Sequence, residues 1–444
     1  MNRDPPYPNP ATIADSKAGT GKVPRSDAGA VDAPPTDVPQ HAPMHRWPVV
    51  DDCLIVGGVP LPRLAERVGR TPFYAYDRHL IAERVGLLRR HMPSGIKLHY
   101  AMKANPMPAL VGHLTQLVDG LDVASGGELR VALDAGADPR EISFAGPGKS
   151  ESELAQAVAA GILLNVESMR EIDALARLSR QLKMPARVAV RVNPDFELKM
   201  SGMKMGGGPK QFGIDAEAVP EALEAIGRLG LSFEGFHIFS GSQNLKAQAI
   251  CESQQKTIEL AIHLAESAPA PVRVVNIGGG FGIPYFPGEE VLDLAPIGAN
   301  LREVAQRAKA ALPDARLVVE LGRYIVGEAG IYVCRVVDRK ISRGQVFLVT
   351  DGGLHHHLAA SGNFGQVIRK NYPVAIGNKV RGARRETASV VGPLCTPLDL
   401  LADRMDLAEA HPGDLVVVFQ SGAYGATASP QGFLSHPPPL EILV

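Results

Sequence analysis

Between residues 97 and 320, short apolar runs alternate with longer amphipathic stretches, and this regularity restricts the possible folds more than any other property of the sequence. The runs have the length of buried strands, and the stretches between them have the apolar spacing of helices. Strands separated by helices are expected to run parallel, because a parallel pair needs a crossover connection. The eight runs are Lys97–Lys103, Gly120–Ala124, Ile142–Ala145, Ile162–Val166, Arg187–Val192, Phe233–Phe239, Val272–Ile277 and Arg316–Glu320.

Helical spacing is clearest in five of the intervening stretches, which are Glu128–Ala135, Glu151–Ala160, Met169–Leu182, Val219–Leu229 and Ala247–Ala265. Eight strand–helix units within about 220 residues predict a closed (β/α)8 barrel. A doubly wound open sheet is the alternative, but so many parallel units in this span favour closure.

The pattern changes after about residue 327, where short β-type runs follow one another with no comparable helix between most of them. These runs are Ile331–Asp338, Gln345–Asp351, Lys379–Arg381, Ser389–Val391 and Asp414–Phe419. They predict a mostly β domain, to which the segment Trp47–Tyr76 adds strands. The predicted organisation is therefore joining strands at 46–75, a barrel at 76–325 and a C-terminal β domain at 326–444.

Residues 1–45 differ from the rest of the chain, since they are rich in Pro, Ala, Asp and Gly and poor in large apolar residues. Such a segment cannot bury enough surface to offset its ordering entropy, so we predict a disordered tail. It lacks a basic start followed by an apolar core and does not resemble a signal peptide. Met44 is an alternative start of the chain.

The formal net charge of −1 gives no reason to expect binding to nucleic acid or to an anionic membrane. No apolar run is long enough to span a bilayer. Three adjacent histidines at 355–357 would alternate between the faces of a strand, so no metal site is expected. A reducing cytoplasm is the expected location, because no two cysteines have metal-ligand or redox-pair spacing. The cysteines are Cys53, Cys251, Cys334 and Cys395.

Functional side chains of such barrels gather at the C-terminal ends of the strands. Most of the predicted strands end in a polar side chain or in glycine, and these ends would meet at one mouth. They contribute Lys103, Asp122, Ser125, Arg191, Asn193, His237, Ser240, Gly278, Gly279, Gly280, Glu320 and Arg323. A single lysine at a strand end has little meaning, but this set of residues predicts a site.

The chemistry of these side chains indicates a cofactor. The glycines of NIGGGFG let backbone N–H groups approach a phosphate that Arg323 neutralises, although they are equally compatible with a simple turn. Lys103 can hold an aldehyde as a Schiff base. Glu320 can keep a pyridine nitrogen protonated, and His237 can lie against the ring face. Together they predict pyridoxal 5′-phosphate; a core histidine and a Glu320–Arg323 ion pair are the alternative interpretations.

At these positions the sequence resembles the fold-type III pyridoxal-phosphate decarboxylases, the group of diaminopimelate, ornithine and arginine decarboxylases. The matching pieces follow the family's order from about residue 70 to 425, and they are YAMKAN, GLDVASGGEL, VRVNP, GFHIFSGSQ, NIGGGFG, VELGRYIV, GPLCTPLD and SGAYG. The resemblance implies an alanine-racemase-like barrel with a C-terminal β domain. It also implies decarboxylation of an L- or meso-amino acid, free or carrier-linked, through a Schiff base on Lys103 and a quinonoid intermediate.

The resemblance also implies roles for individual residues. Catalytic roles would belong to Lys103, His237 and Cys395, with Cys395 returning a proton to the substrate. Cofactor contacts are implied for Lys103, Asp122, Arg191, His237, Ser240, Gly279, Gly280, Glu320, Arg323 and Tyr424. Cys395, together with Tyr424, would come from the second subunit of a homodimer with shared active sites. Taken alone, Cys395 is more simply explained as a buried structural thiol.

Two departures from the family pattern concern the substrate. Thr396 follows the cysteine, where diaminopimelate and ornithine decarboxylases carry an acid that holds the distal amino group. An uncharged hydroxyl cannot compensate a buried ammonium, so a free diamino acid fits poorly unless Asp399 replaces the acid. The second departure is the long glycine-rich loop ELKMSGMKMGGGPKQFGID, which is either a solvated loop or a basic lid for an anionic phosphopantetheine arm. Its lysines are Lys199, Lys204 and Lys210.

These departures resemble two subfamilies, the decarboxylases of exosortase-type exopolysaccharide loci and those acting on glutamyl groups bound to acyl carrier proteins. A diaminopimelate decarboxylase of lysine biosynthesis is the alternative, and a non-catalytic decarboxylase-like regulator is the alternative of another class. Racemases of this fold place arginine at the pyridine nitrogen, so Glu320 argues against them. Regulators lose the lysine or the cysteine, whereas Lys103 and Cys395 are both present.

Overall fold

The computed structural model describes residues 46–197, 206–364 and 369–444, together with Ala42, Met44, Met203, Lys204 and Gln366. Eight parallel strands form a closed barrel, in which each strand pairs with the next and the eighth pairs with the first. They are Ile96–Ala101, Gly120–Val123, Ile142–Phe144, Leu163–Val166, Arg187–Asn193, Ser232–Ile238, Val274–Gly279 and Arg316–Leu321. The predicted barrel is confirmed, and its strand ends differ from the prediction by one or two residues.

A helix follows each barrel strand. These helices are Pro108–Leu114, Gly126–Asp134, Glu151–Ala160, Met169–Leu182, Val219–Leu229, Ala247–Ala265, Leu294–Ala311 and the short Arg323–Val326. Two further helices, Leu61–Val68 and Arg78–His91, precede the barrel. The apolar faces of helices and strands belong to one continuous core.

Local signals explain why the predicted helix ends are accurate. Ser150 begins the helix Glu151–Ala160 with a capping box, in which its hydroxyl accepts from Glu153 N–H and the Glu153 carboxylate accepts in return. Gly161 ends the helix in the left-handed conformation, at φ 71°. Both signals lie within a few residues of the helix, so they are visible in the sequence alone.

The β domain consists of strands from both ends of the chain. Its strands from the C-terminal part are Gly330–Ser342, Gln345–Thr350, Val374–Ile376, Arg385–Val391, Leu400–Ala408, Leu415–Val418 and Leu440–Leu443. The earlier strand Phe73–Tyr76 pairs with Gly330–Ser342 on one side and Leu440–Leu443 on the other, which confirms that N-terminal residues contribute to this domain. Three shorter strands, Val49–Val50, Cys53–Val56 and Val59–Pro60, form a separate small sheet.

Several strand predictions in the β domain were inaccurate, and the strand Leu440–Leu443 was not predicted. Lys379–Arg381 was predicted to be a strand, but the strand is Val374–Ile376, and the Lys379 N–H closes a turn on the Ile376 carbonyl. The strand Leu400–Ala408 was not predicted, because its pairing contains a register shift and Arg404 adopts φ 45°. Such a bulge breaks the two-residue alternation that a sequence pattern can detect.

The three adjacent histidines lie in turns rather than on a strand. The N–H groups of His356 and His357 both donate to the Gly353 carbonyl at 3.0 Å, which closes the chain into a turn. His357 Nδ1 accepts from the Ala360 N–H at 3.2 Å, so its Nε2 carries the proton that faces the Ser421 hydroxyl at 2.8 Å. Burial lowers the pKa of His357 to about 3. This ring is therefore a neutral part of the β domain.

The predicted disordered tail, residues 1–45, lies outside the described residues except for Ala42 and Met44. The domain limits at residues 45, 75 and 325 stay predictions. None of the helices that the structure describes combines the length and the apolar composition that a bilayer crossing requires.

Candidate active site

A cavity of about 380 Å³ opens among the C-terminal ends of the barrel strands. Its volume lies within the range of small-molecule sites, which is roughly 300–1,000 Å³. Eight of the predicted site residues line it, namely Lys103, Asp122, Arg191, His237, Gly280, Glu320, Arg323 and Tyr424. The barrel therefore brings together side chains that are far apart in the sequence.

Lys103 enters the cavity from a turn rather than from a strand. The first barrel strand ends at Ala101, and Met102–Ala104 forms a single 3-10 turn. Lys103 Nζ lies 5.2 Å from the centre of the Phe239 ring, which faces it across the cavity. The lysine is therefore presented beyond the end of the strand, inside the barrel mouth.

The lysine turn is held by the β domain. The Asn105 side-chain amide donates to the Gly422 carbonyl at 3.0 Å, and the Tyr424 N–H donates to the Ala104 carbonyl at 2.8 Å. These bonds join the motifs YAMKAN and SGAYG, which are more than 300 residues apart in the sequence. Tyr424 was predicted to enter with Cys395 from a second subunit, but it lines the cavity of its own chain.

Glu320 forms the centre of a buried polar group at the end of the eighth barrel strand. Its Oε2 lies 3.0 Å from His237 Nε2 and accepts from the Asn276 side-chain amide at 3.0 Å. The Asn276 side-chain oxygen accepts from the Gly278 N–H at 2.9 Å. Asn276 therefore links the buried carboxylate to the glycine turn.

The register of neighbouring strands explains how this group forms. Parallel pairing places His237 beside Asn276 on one side and beside Arg191 on the other. Glu320 pairs with Gly279 of the seventh strand and with His99 of the first. Closure of the barrel thus brings a carboxylate, an imidazole and a guanidinium close to one another.

The charge state of Glu320 follows from its surroundings. Burial alone raises the pKa of this carboxyl, but His237 and the cations Lys103 and Arg191 have the greater combined effect and lower it below its usual range. The carboxyl therefore remains ionised at neutral pH, and it is only 7% exposed.

Asp122 forms a second polar group on the cavity wall. Its Oδ1 lies 3.1 Å from His99 Nδ1 and accepts from the Ser143 hydroxyl at 2.5 Å. Burial opposes protonation of His99, but the adjacent Asp122 carboxylate leaves its pKa raised. The other oxygen, Oδ2, is buried and has no hydrogen-bond partner among the described residues.

Arg323 occupies a corner of the cavity lined by tyrosines. Its guanidinium lies 4.5 Å from the centre of the Tyr424 ring, and Nη1 donates to the Tyr285 hydroxyl at 2.8 Å. The Nε atom is buried without a partner, and no carboxylate within the described part of the chain forms an ion pair with this arginine. Such a cation can accept an anionic ligand.

The glycine turn lies in the same region of the barrel mouth. Gly280 adopts φ 77°, a left-handed conformation that glycine accepts without strain. A Cβ on Gly279 would lie 2.0 Å from the Glu320 carbonyl oxygen, so the seventh and eighth strands can approach this closely only at glycine. The close approach helps to explain the glycine-rich motif without requiring a ligand.

Eight predicted site residues do not line the cavity: Ser125, Asn193, Ser240, Gly278, Gly279, Cys395, Thr396 and Asp399. The Ser240 hydroxyl lies 2.7 Å from that of Ser253. Asp399 has a different role from the predicted substrate contact, because its carboxylate accepts from Leu354 N–H at 2.6 Å and from Leu394 N–H at 2.8 Å. Asp399 thereby holds the loop that carries the exposed Cys395.

The predicted basic lid lies mostly outside the described residues. Lys199 is not described, and only the backbone of Lys204 is, in a short pairing with the segment Gly241–Ser242. Lys210 is half-buried. The role of this loop as a lid stays a prediction.

The sequence interpretation missed two residues that contact cavity-lining side chains without lining the cavity themselves. Asn276 begins the motif NIGGGFG, so its position was visible although its partner Glu320 was not. Glu167 follows the fourth barrel strand and forms an ion pair with Arg191, in which their closest atoms are 2.8 Å apart. An acid directly after a barrel strand is the signal that could have identified it.

The residues around the cavity fit pyridoxal phosphate. Lys103 supplies an amine, and Glu320 supplies a buried carboxylate for a ring nitrogen. Arg323, with its unpaired Nε and no carboxylate partner in the described structure, suits the phosphate. The donor set therefore includes a group for each polar end of the cofactor.

Three comparisons relate this chain to known proteins. The family model described as "Pyridoxal-dependent decarboxylase, pyridoxal binding domain" matches residues 78–327. An L-glutamyl-[BtrI acyl-carrier protein] decarboxylase of Niallia circulans is 40% identical over 379 residues, covering 84% of this chain and 88% of that protein. A diaminopimelate decarboxylase of Aquifex aeolicus is 34% identical over 397 residues, covering 89% and 91%.

A solved structure supports the same relationship. The crystal structure of diaminopimelate decarboxylase from Helicobacter pylori complexed with L-lysine matches with a TM-score of 0.75 and 29% sequence identity. The match covers 86% of this chain and 94% of that chain. Barrel and β domain are therefore both included in the similarity.

Replacing Asn276 with alanine tests the link between the carboxylate and the glycine turn. We expect the affinity for pyridoxal phosphate to fall at least about tenfold, since a lost hydrogen bond to a buried charged group costs roughly 1.5–3 kcal/mol. The Kd is measured by absorbance titration of the apoprotein. Asn300→Ala is the matched control, because Asn300 bonds Gln254 on the outer helices. Equal weakening in both variants would contradict the assigned role of Asn276.

Proposed function

This chain belongs to the pyridoxal-dependent decarboxylase family, and we propose that it removes CO2 from an amino acid attached to an acyl carrier protein. The predicted family, cofactor and reaction class are confirmed: it is a pyridoxal-phosphate-dependent amino-acid decarboxylase. The nature of the substrate and the roles of individual residues are the proposal.

Five of the residues that line the cavity have a proposed task. When bound, pyridoxal phosphate supplies an electron sink for the electron pair left by the departing carboxyl group. Lys103 would hold the cofactor aldehyde through its amine and release it to the amino group of the substrate. Glu320, kept ionised by its neighbours, would hold a proton at the ring nitrogen. Arg323 and Gly280 would bind the phosphate, and His237 would lie against the ring.

The loop around Cys395 provides the main structural support for the proposed substrate. Its sequence from 392 to 399, GPLCTPLD, contains a single acid, Asp399. That carboxylate is buried and accepts hydrogen bonds from two backbone N–H groups. Thr396, beside the cysteine, has no charge. The loop therefore offers no free carboxylate to a distal ammonium, which disfavours a free diamino acid.

An amino acid whose side-chain carboxyl is joined to a carrier arm has no distal charge to compensate. The relative from Niallia circulans, whose name specifies a glutamyl group on an acyl carrier protein, is 40% identical to this chain. The diaminopimelate decarboxylase of Aquifex aeolicus is 34% identical. We therefore favour a carrier-linked substrate, with free diaminopimelate as the second candidate.

A substrate panel tests this proposal. We expect CO2 release from glutamate linked to a carrier protein, and at least about tenfold slower release from free meso-diaminopimelate, because one uncompensated buried charge costs more than 1.4 kcal/mol. Thr396→Glu restores an acid and should increase diaminopimelate turnover. Brisk diaminopimelate turnover by the unaltered protein would contradict our interpretation of Thr396. Absence of CO2 release from every substrate in the panel would favour the non-catalytic decarboxylase-like regulator.

A homodimer is the second part of the proposal. Cys395 is exposed and lies outside the cavity of its own chain. Phe364 and Leu398 nearby are 45% and 58% exposed, and the Phe364 ring lies 6.5 Å from that of Tyr424. This apolar surface connects the Cys395 loop with the cavity edge. A second copy that covers it would bring Cys395 to a neighbouring cavity, where it would return a proton to the substrate.

Mixing two inactive variants tests the shared site. In an equal mixture of Lys103→Ala and Cys395→Ala chains, half of the dimers combine both variants and each of these has one intact site. About a quarter of the original activity per chain is therefore expected after subunit exchange. A Lys103→Ala chain mixed with the double variant Lys103→Ala/Cys395→Ala is the control and should remain inactive. No recovery in the first mixture would count against a shared site.

The proposed location is the cytoplasm. All four cysteines are free thiols, including the exposed Cys395. A free exposed thiol with a proposed role in proton transfer is best preserved in a reducing compartment.

A further inference from the structure

Glu167 is a buried acid whose carboxylate joins three segments of the cavity wall. Its side chain is 2% exposed, and Oε1 accepts from Arg191 Nη1 at 2.8 Å. The same oxygen accepts from the Gly146 N–H, and Oε2 accepts from the Gly213 N–H at 3.0 Å. Gly146 and Arg191 line the cavity, and Gly213 follows Phe212, which also lines it.

The ion pair distinguishes Arg191 from the other cations of the cavity. Lys103 and Arg323 form no ion pair within the described part of the chain. Arg191 lies with its guanidinium 4.9 Å from the centre of the Phe212 ring and is paired with Glu167. The cavity therefore contains one cation whose charge is already neutralised by the protein.

A second buried ion pair, between Lys149 and Glu171, contacts Glu167 through the Glu167 N–H group. Glu171 Oε2 accepts from the Glu167 N–H at 2.9 Å and from Lys149 Nζ at 3.0 Å. Lys149 is 3% exposed and also donates to two backbone carbonyls. Burial of charges on this scale is tolerable only when they are paired. Burial raises the pKa of Glu167, but Arg191 and Lys149 lower it overall, so the acid is ionised.

The chemistry of decarboxylation explains why a neutralised Arg191 would favour the reaction. The carboxylate that leaves as CO2 gives up its negative charge, so a cation bound to it stabilises the starting state more than the transition state. An unpaired guanidinium that reached this carboxylate would therefore bind the substrate more tightly and slow its reaction. A paired one leaves the carboxylate free to react.

We infer that Glu167 is a positioning residue that neutralises Arg191 and keeps its guanidinium away from the reacting carboxylate of the substrate. The inference rests on the proposed function of this cavity. Glu167 does not line the cavity itself, so it would influence the reaction through Arg191.

Glu167→Gln in the cofactor-loaded enzyme tests the inference. We expect kcat to fall about tenfold or more while KM stays equal or falls, because ground-state binding increases. An independent readout is the affinity for glutarate, a dicarboxylate that cannot react at an amino group. Its Kd, measured by calorimetry, should decrease about tenfold as the unpaired guanidinium gains a carboxylate partner.

Two variants serve as controls. Glu171→Gln disrupts the same buried network but makes no contact with Arg191, so it should lower the thermal unfolding temperature and leave the glutarate Kd unchanged. The double variant Glu167→Gln/Arg191→Gln should lose the tighter glutarate binding that is expected for Glu167→Gln. If Glu167→Gln does not fold, Glu167→Asp retains the charge on a shorter side chain and should tighten glutarate binding by a smaller factor.

The outcomes separate this inference from the proposed function. An unaltered protein that binds no pyridoxal phosphate overturns both. Two results would overturn the inference alone, provided that the unaltered protein decarboxylates normally. One is an unchanged glutarate affinity in the Glu167 variants, and the other is a raised KM with kcat retained in those variants.

Discussion

A carboxylate that stays charged although it is almost completely buried is the interaction on which the site depends. Removing Glu320 from water would cost several kcal/mol if it were alone. His237 and Asn276 contact it directly, and the cations Lys103 and Arg191 lower its pKa further. These groups belong to different barrel strands and turns, so the closed barrel is the condition for keeping this charge in place.

The charged side chains at the barrel mouth have different partners and therefore different roles. Arg323 has no carboxylate partner in the described structure and is open to an anion, whereas Arg191 is neutralised by Glu167. The β domain fixes the lysine turn through the Asn105–Gly422 hydrogen bond. A decarboxylase needs a firmly bound cofactor beside an unrestrained substrate carboxylate, and this distribution of charge is consistent with that need.

The sequence predicted the parts of the fold that depend on local pattern and caps. Eight barrel strands and the helix Glu151–Ala160 were found because apolar spacing and capping residues lie within each element. Leu400–Ala408 was missed because a bulge at Arg404 interrupts its alternation. Seven of the cavity-lining residues were predicted from strand ends, and Tyr424 was predicted from the family resemblance. The contact between Asn276 and Glu320 depends on strand register, which a single sequence does not contain.

Reductive labelling at Lys103 is the most direct test of the account. Borohydride treatment of the cofactor-loaded protein should fix a phosphopyridoxyl group to one peptide, the one that contains Lys103, as mass spectrometry of a protease digest would show. Lys103→Ala should take up no label. A label on another lysine, or an unlabelled protein that still decarboxylates, would contradict the claim that this amine in the barrel mouth holds the cofactor.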